Sequence, residues 1–466
     1  MKRLADYMRT YYIRPNKSFQ DVVYKEGAGQ YEFDFKVPLS EMGGLRSGDR
    51  VVFHLTLVPS SVEVAAAAPP IEDPRIGEIF DRVADGVEFV VDAFAAKSKR
   101  TNVYFVFSAG DQEEGHSPPG SDVRREVLRR VFKGNSMNLY LFLLVFAFIF
   151  MLFLGNFAII GILAVQGVVL FYADRLSMGA GDVHPTGASP TVTLVSVATS
   201  PQTAAEIKKH GKSLLPKVAE RLRALAGGGD PAPLIQESFK TQGIACAPED
   251  IHVVTRDVYS TVKSAADKFG MPVPKITIDN TPLDNASATG VSASRSAITI
   301  TAGAIEDLDA GQLESVVGHE FGHVKGRDPI VLFCVNCLVY LGGFYLWYPL
   351  LLDLGIFYFF VAFGAIYSVG KVLETRADTE SARVIGEPGT LAEALTKIGF
   401  TQLYFEKYSA GARIMDWFRF DPHPPMYFRV SRLNRISQAK NKVSHTLAVS
   451  LRDCLSAFGR ALFGLD

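Results

Sequence analysis

The sequence predicts an α+β protein with four transmembrane helices in two hairpins and a separate α+β domain at its N-terminus. Three observations carry this expectation. Two long segments are nearly free of charge, polar segments around them alternate strand-like and helix-like periodicities, and one polar helix holds a His-Glu-x-x-His run. Hydrophobic residues make up 48% of the 466 residues and charged residues 21%, so the placement of the apolar residues is the informative feature. The 48 Lys and Arg against 49 Asp and Glu argue against a nucleic-acid partner, which calls for a basic excess or patch. Disorder is excluded for most of the chain, because it needs low hydrophobicity and high net charge. Four scattered cysteines (Cys246, Cys334, Cys337, Cys454) make no disulfide framework and point to a reducing compartment.

Residues 1–133 read as a cytoplasmic α+β domain. The first residues, MKRLADYMRTYYIRPNK, lack the apolar core of a signal peptide. Residues 31–37 (YEFDFKV) and 51–58 (VVFHLTLV) alternate apolar and polar side chains as half-buried strands do. Residues 76–96 have helical spacing and 102–107 form another strand candidate, while 63–70 (EVAAAAPP) and 111–121 read as linkers or loops. His54 and His116 stand alone and read as structural or solvated histidines.

Residues 134–173 carry no charge and are too long for one span, which needs ~20 apolar residues. Two short helices turning at Gly155-Asn156 fit. Residues 174–328 then supply strands at 191–198, 275–280 and 296–301, with helices at 203–226, 257–269 and 307–325; Gly227, Gly228 and Gly229 end the first of these helices. Residues 329–370 form a second hairpin, 330–352 and 355–370, whose only charge, Asp353, sits at the turn. Cys334 and Cys337 have a CxxC spacing but lie inside this hairpin without a second pair, so they read as packing residues. Arg124, Arg125, Arg129, Arg130, Lys133, Arg175, Lys325, Arg327, Lys371 and Arg376 flank the hairpins, and the turns hold no Lys or Arg. The positive-inside rule therefore puts every polar segment on the cytoplasmic side of the cell membrane. Residues 371–466 complete the polar domain, and 443–465 form an amphipathic helix that suits either the membrane interface or the domain surface.

The chemistry sits in His319-Glu320-Phe321-Gly322-His323. Side chains four apart share a helix face, so His319 and His323 can present two imidazoles to one metal ion. Glu320 then stands where a general base would take a proton from a metal-held water. A catalytic zinc site takes three protein ligands and keeps one position open. The metzincin pattern would place a third histidine six residues after His323; Gly326 fits it, but Pro329 stands in the histidine's place. A carboxylate from a second helix is the alternative. Glu374 and Asp378, in ETRAD, are four apart where the second hairpin ends, so Glu374 can ligate the metal while Asp378 accepts the N–H of a ligand imidazole. Glu380, Glu387 and Glu393 compete for the ligand position and read as solvated helix charges.

HEFGH, a membrane hairpin and ETRAD, in that order, resemble peptidase family M48, the integral-membrane zinc metalloproteases that include the HtpX heat-shock proteases and the CAAX prenyl protease. Residues 285–290 (NASATG) resemble the family's strand ahead of the zinc helix. His423-Pro424-Pro425, Arg429 and Leu433 resemble its later His-Pro…Arg segment. The likeness covers about residues 130–440 and leaves the N-terminal domain outside. It implies a gluzincin-type fold, one zinc per chain carrying a water, and endopeptidase activity. Residue by residue, it implies zinc ligation by His319, His323 and Glu374, with Glu320 as base and Asp378 supporting a ligand. Arg429 and His423 would stabilise the oxyanion. Asn285, Ala286, Ser287, Ala288 and Thr289 would form an edge strand that holds substrate backbone with little demand on its side chains. The expected substrates are misfolded or membrane proteins at the cytoplasmic face, so the partners are polypeptide and lipid bilayer. Two other readings stand beside this one. A prenyl-type processing enzyme would have seven spans rather than four, and a non-catalytic zinc-stabilised scaffold would have no use for Glu320.

Overall fold

The structure is a computed structural model that describes residues 1–16, 18–27, 30–38, 50–59, 61–67, 74–108, 153–180, 183–224, 230–342, 356–408, 410–439 and 445–463. The expected first span (134–152), the second hairpin's turn at Asp353, the basic run 124–133, the loop 111–121 with His116, and Gly227–Gly229 lie outside these residues. The chain divides into two compact units, Met1–Lys99 with Phe400–Phe405, and Arg100–Gly399 with Glu406–Asp466.

The first unit is a four-stranded antiparallel meander with helices packed on one face. Helix α1 (Lys2–Met8) leads into β1 (Gln20–Glu26), β2 (Tyr31–Pro38), β3 (Arg50–Val58) and β4 (Ser61–Ala67), followed by α2 (Pro74–Thr101). The alternation read from the sequence sets the faces: Tyr31, Phe33, Phe35 and Val37 of β2, and Val51, Phe53, Leu55 and Leu57 of β3, are buried. Ile79, Val83, Val87 and Val90 of α2 meet them at helical spacing. The alanine-rich stretch expected as a linker is instead β4. Its backbone pairs with β3 from Val52↔Ala67 to Val58↔Ser61, and an edge position asks little of side-chain propensity.

The second unit holds two three-stranded sheets. Strand β5 (Val103–Ser108), expected within the N-terminal domain, pairs instead with β6 (Thr191–Val197). Between them in sequence lie α3 (Ala158–Phe171), entered by a 3-10 turn at Gly155–Phe157, and α4 (Ala173–Ala180). Next come α5 (Pro201–Ala224), α6 (Ala232–Lys240), β7 (Ile251–Asp257) on the free side of β6, and α7 (Val258–Phe269). The β5–β6–β7 sheet is covered on both faces. Val195, Val197 and Phe105 pack on Ile207, Leu214 and Phe239, while Val192, Leu194 and Tyr104 face the main core with Val262 and Ile276. This explains why β5, VYFVFS, is a continuous apolar run.

The second sheet orders β8 (Lys275–Asp279), β10 (Arg295–Thr301) and β9 (Ala286–Ser292), so β9 is an edge strand. Beyond it run α8 (Ala302–Asp307), α9 (Ala310–Gly326), α10 (Asp328–Leu341), α11 (Ile356–Val384), α12 (Pro388–Tyr408), α13 (Ala410–Phe418), α14 (Met426–Ala439) and α15 (Thr446–Leu462). The apolar start of α11 continues unbroken into its polar half. Among the described residues no helix is long and apolar enough to cross a membrane. Helix α15 packs on α11 through small side chains: Thr375 Oγ1 lies 3.1 Å from Cys454 Sγ, and Thr379 Oγ1 lies 3.1 Å from Ser450 Oγ. All four cysteines are free thiols, and Cys334 is exposed.

Where α4 begins, the buried Asp174 ties it to the sheet through Lys275 Nζ at 3.1 Å and Arg295 Nη2 at 3.7 Å. Burial pushes this carboxyl up, but the Lys275 hydrogen bond and both cations outweigh it, and the net shift is downward. A lowered carboxyl contributes stability above its unfolded pKa and loses it as pH falls through the folded value. Asp174→Asn should therefore destabilise the protein by ~1–2 kcal/mol at neutral pH, the half-exposed Lys275 limiting the effect. Thermal melts should show the difference shrinking toward pH 3; a pH-independent difference would assign the loss to packing instead.

Candidate active site

Helix α9 is started by a reciprocal cap in which Gln312 N donates to Asp309 Oδ1 at 2.8 Å and Asp309 N donates to Gln312 Oε1. Val316, Val317 and Phe321 face the core, which turns His319 and His323 toward α11. Gly318 and Gly322 lie on this face. A methyl at Gly322 would come within 2.9 Å of Ala377 Cα, and one at Gly318 within 2.9 Å of Ser381 Oγ. The bare backbone lets the two helices approach closely enough for a glutamate to reach the imidazoles.

That glutamate is Glu374. His319 Nε2 lies 3.1 Å from His323 Nε2, 3.4 Å separates His319 Nε2 from Glu374 Oε2, and 3.3 Å separates His323 Nε2 from Glu374 Oε1. The other ring nitrogens face carboxylates, His319 Nδ1 at 2.8 Å from Asp378 Oδ1 and His323 Nδ1 at 2.8 Å from Asp328 Oδ2. Those carboxylates favour Nδ1–H on both rings, which aims two Nε2 lone pairs at each other. Glu374 Oε2 is buried and accepts no hydrogen bond. Three convergent electron pairs repel one another, and a cation or a proton at their meeting point relieves that. The spacings suit a tetrahedral ion, since bonds of ~2.0–2.1 Å put ligand atoms about 3.3 Å apart. These residues therefore fit a metal, and they are a group of three that could hold one among the described residues.

Electrostatics agree with this geometry. Burial alone would lower both imidazoles, but Asp378 and Glu374 reverse that for His319, which is raised. Asp328 and Glu374 reverse it for His323, which is raised to about 10. Burial would raise Glu374, yet the two imidazoles hold it well below the usual carboxylate range. For Asp378, Arg429 and His319 likewise outweigh burial and hold the carboxyl low. Glu320 behaves differently: burial dominates and raises it, while Ala288 N of the edge strand donates to its Oε2 at 2.7 Å. A carboxylate drawn toward neutral pH suits proton transfer better than an ordinary one.

The remaining expected residues divide. Arg429 is buried, with Nε and Nη2 gripping Asp378 at 2.9 and 2.7 Å, and its Nη1 reaches Glu374 only at 3.8 Å. His423 is 57% exposed, its Nδ1 2.8 Å from Asp421 Oδ1 and its Nε2 3.7 Å from Glu374 Oε1. Ala286, Ser287, Ala288 and Thr289 lie on β9, while Asn285 precedes it and is fastened to Thr301 by Asn285 N and O. Of the competing glutamates, Glu380 pairs with Arg383 and Lys325, Glu387 accepts from Thr390, and Glu393 is exposed.

Sequence reasoning missed Asp328 and read Arg376 and Lys371 only as charges flanking a span. Arg376 Nη2 is 2.7 Å from Asp328 Oδ2 and donates to Gly322 O, and any side chain at Gly326 would fall on its guanidinium. A carboxylate five residues beyond a ligand histidine was the available signal. The reversal at Arg327, in left-handed backbone at φ 55°, brings it back to the ring.

Residues 253–437 match the model of peptidase family M48, a narrower stretch than the 130–440 expected. The "Protease HtpX homolog" of Moorella thermoacetica is 29% identical over 220 residues, 39% of this chain and 72% of that protein. The "Protease HtpX homolog 2" of Methanosarcina mazei is 27% identical over 202 residues (36% and 68%), and the homolog of Thermococcus sibiricus 29% over 218 (39% and 74%). The crystal structure of S. mikatae Ste24p aligns with 76% of this chain and 97% of its own at 13% identity, with a TM-score of 0.27, too low to bear on the fold. The His319–His323–Glu374 cluster lies inside the matched stretch, so this part of the chain is similar to peptidase family M48, and the likeness supports a metalloprotease.

Proposed function

We propose that the protein is a membrane-anchored zinc endopeptidase that cleaves unfolded or membrane proteins at the cytoplasmic face, with one zinc held by His319, His323 and Glu374. The observation that carries this is the convergence of three ligand atoms beside Glu320, whose buried carboxylate has no part in holding them. Zinc bound there would supply Lewis acidity toward a water and the substrate carbonyl. Glu320 takes the proton from the attacking water and passes it to the departing amine. Its bond to Ala288 ties the base to β9, the edge strand along which a substrate backbone would add in extended form. His423 is the better oxyanion donor of the two candidates, because it is exposed with its Nε2 3.7 Å from Glu374 Oε1 while Arg429 is committed to Asp378. Arg429 instead fixes Asp378, which in turn orients His319.

The two charge-poor segments, 134–173 and 329–370, support anchoring by four spans. Alkaline carbonate washing should leave the chain in the membrane pellet, and release into the supernatant would refute the anchor. Glu320→Gln should keep about one zinc per chain while cleavage of an unfolded model protein in detergent falls ~10²–10⁴-fold. If wild type and variant both hold zinc and neither cleaves, the enzyme reading fails; if neither holds zinc, the ligand set is wrong. Asp328→Asn should weaken zinc binding ~10–100-fold by freeing the His323 ring. Competition with a chromogenic chelator measures this, and an unchanged affinity would remove Asp328 from the site.

A further inference from the structure

Lys371 lies one helical turn before Glu374 on α11 and is only 4% exposed. An ammonium in such a place is costly unless it is well bonded, and burial lowers its pKa accordingly. Among the described residues its hydrogen bonds go to two main-chain carbonyls, Arg419 O at 3.0 Å and Asp421 O at 2.6 Å. These belong to the irregular stretch between α13 and α14. The same stretch packs on the turns of α11 that lead up to the lysine. Phe420 meets Phe360, Phe363 and Tyr367 with ring centroids 6.0, 6.0 and 5.8 Å away, and a methyl on Gly370 would come within 2.9 Å of Pro422. Asp421 Oδ1 then accepts from the backbone N of His423 at 2.9 Å and lies 2.8 Å from its Nδ1.

We propose that Lys371 is a positioning residue of the active site: by donating to the Arg419 and Asp421 carbonyls it fixes the loop that holds the His423 imidazole beside Glu374. This rests on the reading of His423 as the oxyanion donor. The lysine touches neither substrate nor metal ligand; it acts through Asp421 and the backbone. A plain packing role would be met as well by an apolar side chain of similar length, and that difference can be measured.

The test uses the full chain in detergent with Lys371→Met, His423→Ala and the double variant. Hydrogen–deuterium exchange of Lys371→Met should rise in peptides covering 419–425 and stay unchanged in those covering 310–326. Unchanged exchange in 419–425, or a rise everywhere, overturns the anchoring role. In cleavage of a quenched fluorogenic peptide, Lys371→Met should lower kcat ~10–100-fold, within the range for a lost oxyanion donor, with KM within about twofold and zinc content retained. In the His423→Ala background the same substitution should have no further effect, because both act through one imidazole. Additive losses in the double variant would overturn the route through His423. If His423→Ala alone leaves kcat intact, the oxyanion reading fails by itself, while exchange still decides whether Lys371 holds the loop.

Discussion

The approach of α9 to α11 is the constraint on which the site depends. A glutamate side chain is short, and for it to meet two imidazoles rooted on another helix the backbones must come closer than ordinary side chains allow. Gly318 and Gly322 provide that on α9, and Ala377 and Ser381 receive them on α11. The spacing of four that puts His319 and His323 on one face is matched by the same spacing of Glu374 and Asp378 on the other helix. One close contact therefore sets two relations at once, the convergence of the three groups that could hold a metal and the carboxylate behind the first imidazole.

The charges gathered by that contact do not balance within the protein. Four buried carboxylates, Glu320, Asp328, Glu374 and Asp378, face two guanidiniums, the partly exposed Arg376 and the buried Arg429, leaving a deficit of two positive charges when both imidazoles are neutral and all four carboxyls are ionised. A divalent cation at the His319–His323–Glu374 point would supply that deficit. The same carboxylates favour protons on the imidazoles, and both rings are raised by Asp378, Asp328 and Glu374. Metal and protons compete for one place. Removing either guanidinium would deepen the deficit, so Arg376 and Arg429 belong to the electrostatics of the candidate metal site.

The parts of this arrangement that depend on local periodicity were legible in the sequence. HEFGH and ETRAD declare their faces by spacing alone, and β2, β3, β5, β6, β8 and β10 follow from alternation or apolar runs. What was not legible depends on where the chain reverses. Asp328 reaches His323 only because Arg327 turns the backbone left-handed, and nothing in the composition of GRDP requires it. β4 was hidden because alanine has little strand preference of its own, and its pairing comes from the partner strand. Arg376 and Lys371 were hidden differently: a basic residue beside an apolar helix has a ready topological reading, and their bonds to specific acceptors are a tertiary fact.

An exposed histidine on an irregular loop would ordinarily be placed less exactly than a ligand on a helix. In this chain the loop is fixed at both ends by buried charges of opposite kind. Lys371 donates to carbonyls near its start, and Glu406, wholly buried, accepts from Met426 N at 3.0 Å and Tyr427 N at 2.6 Å where α14 begins. Cation on carbonyls and anion on amides is the pairing that backbone polarity demands, and the anion also lies favourably at a helix N-terminus. Pro422, Pro424 and Pro425 remove three amide donors between those anchors and restrict the unfolded loop, so fewer conformations are lost on ordering it. The same anchor at Met426 sets the start of the helix that carries Arg429 to Asp378. Loop and helix are thus registered together against α11, one carrying His423 beside Glu374 and the other carrying Arg429 to Asp378.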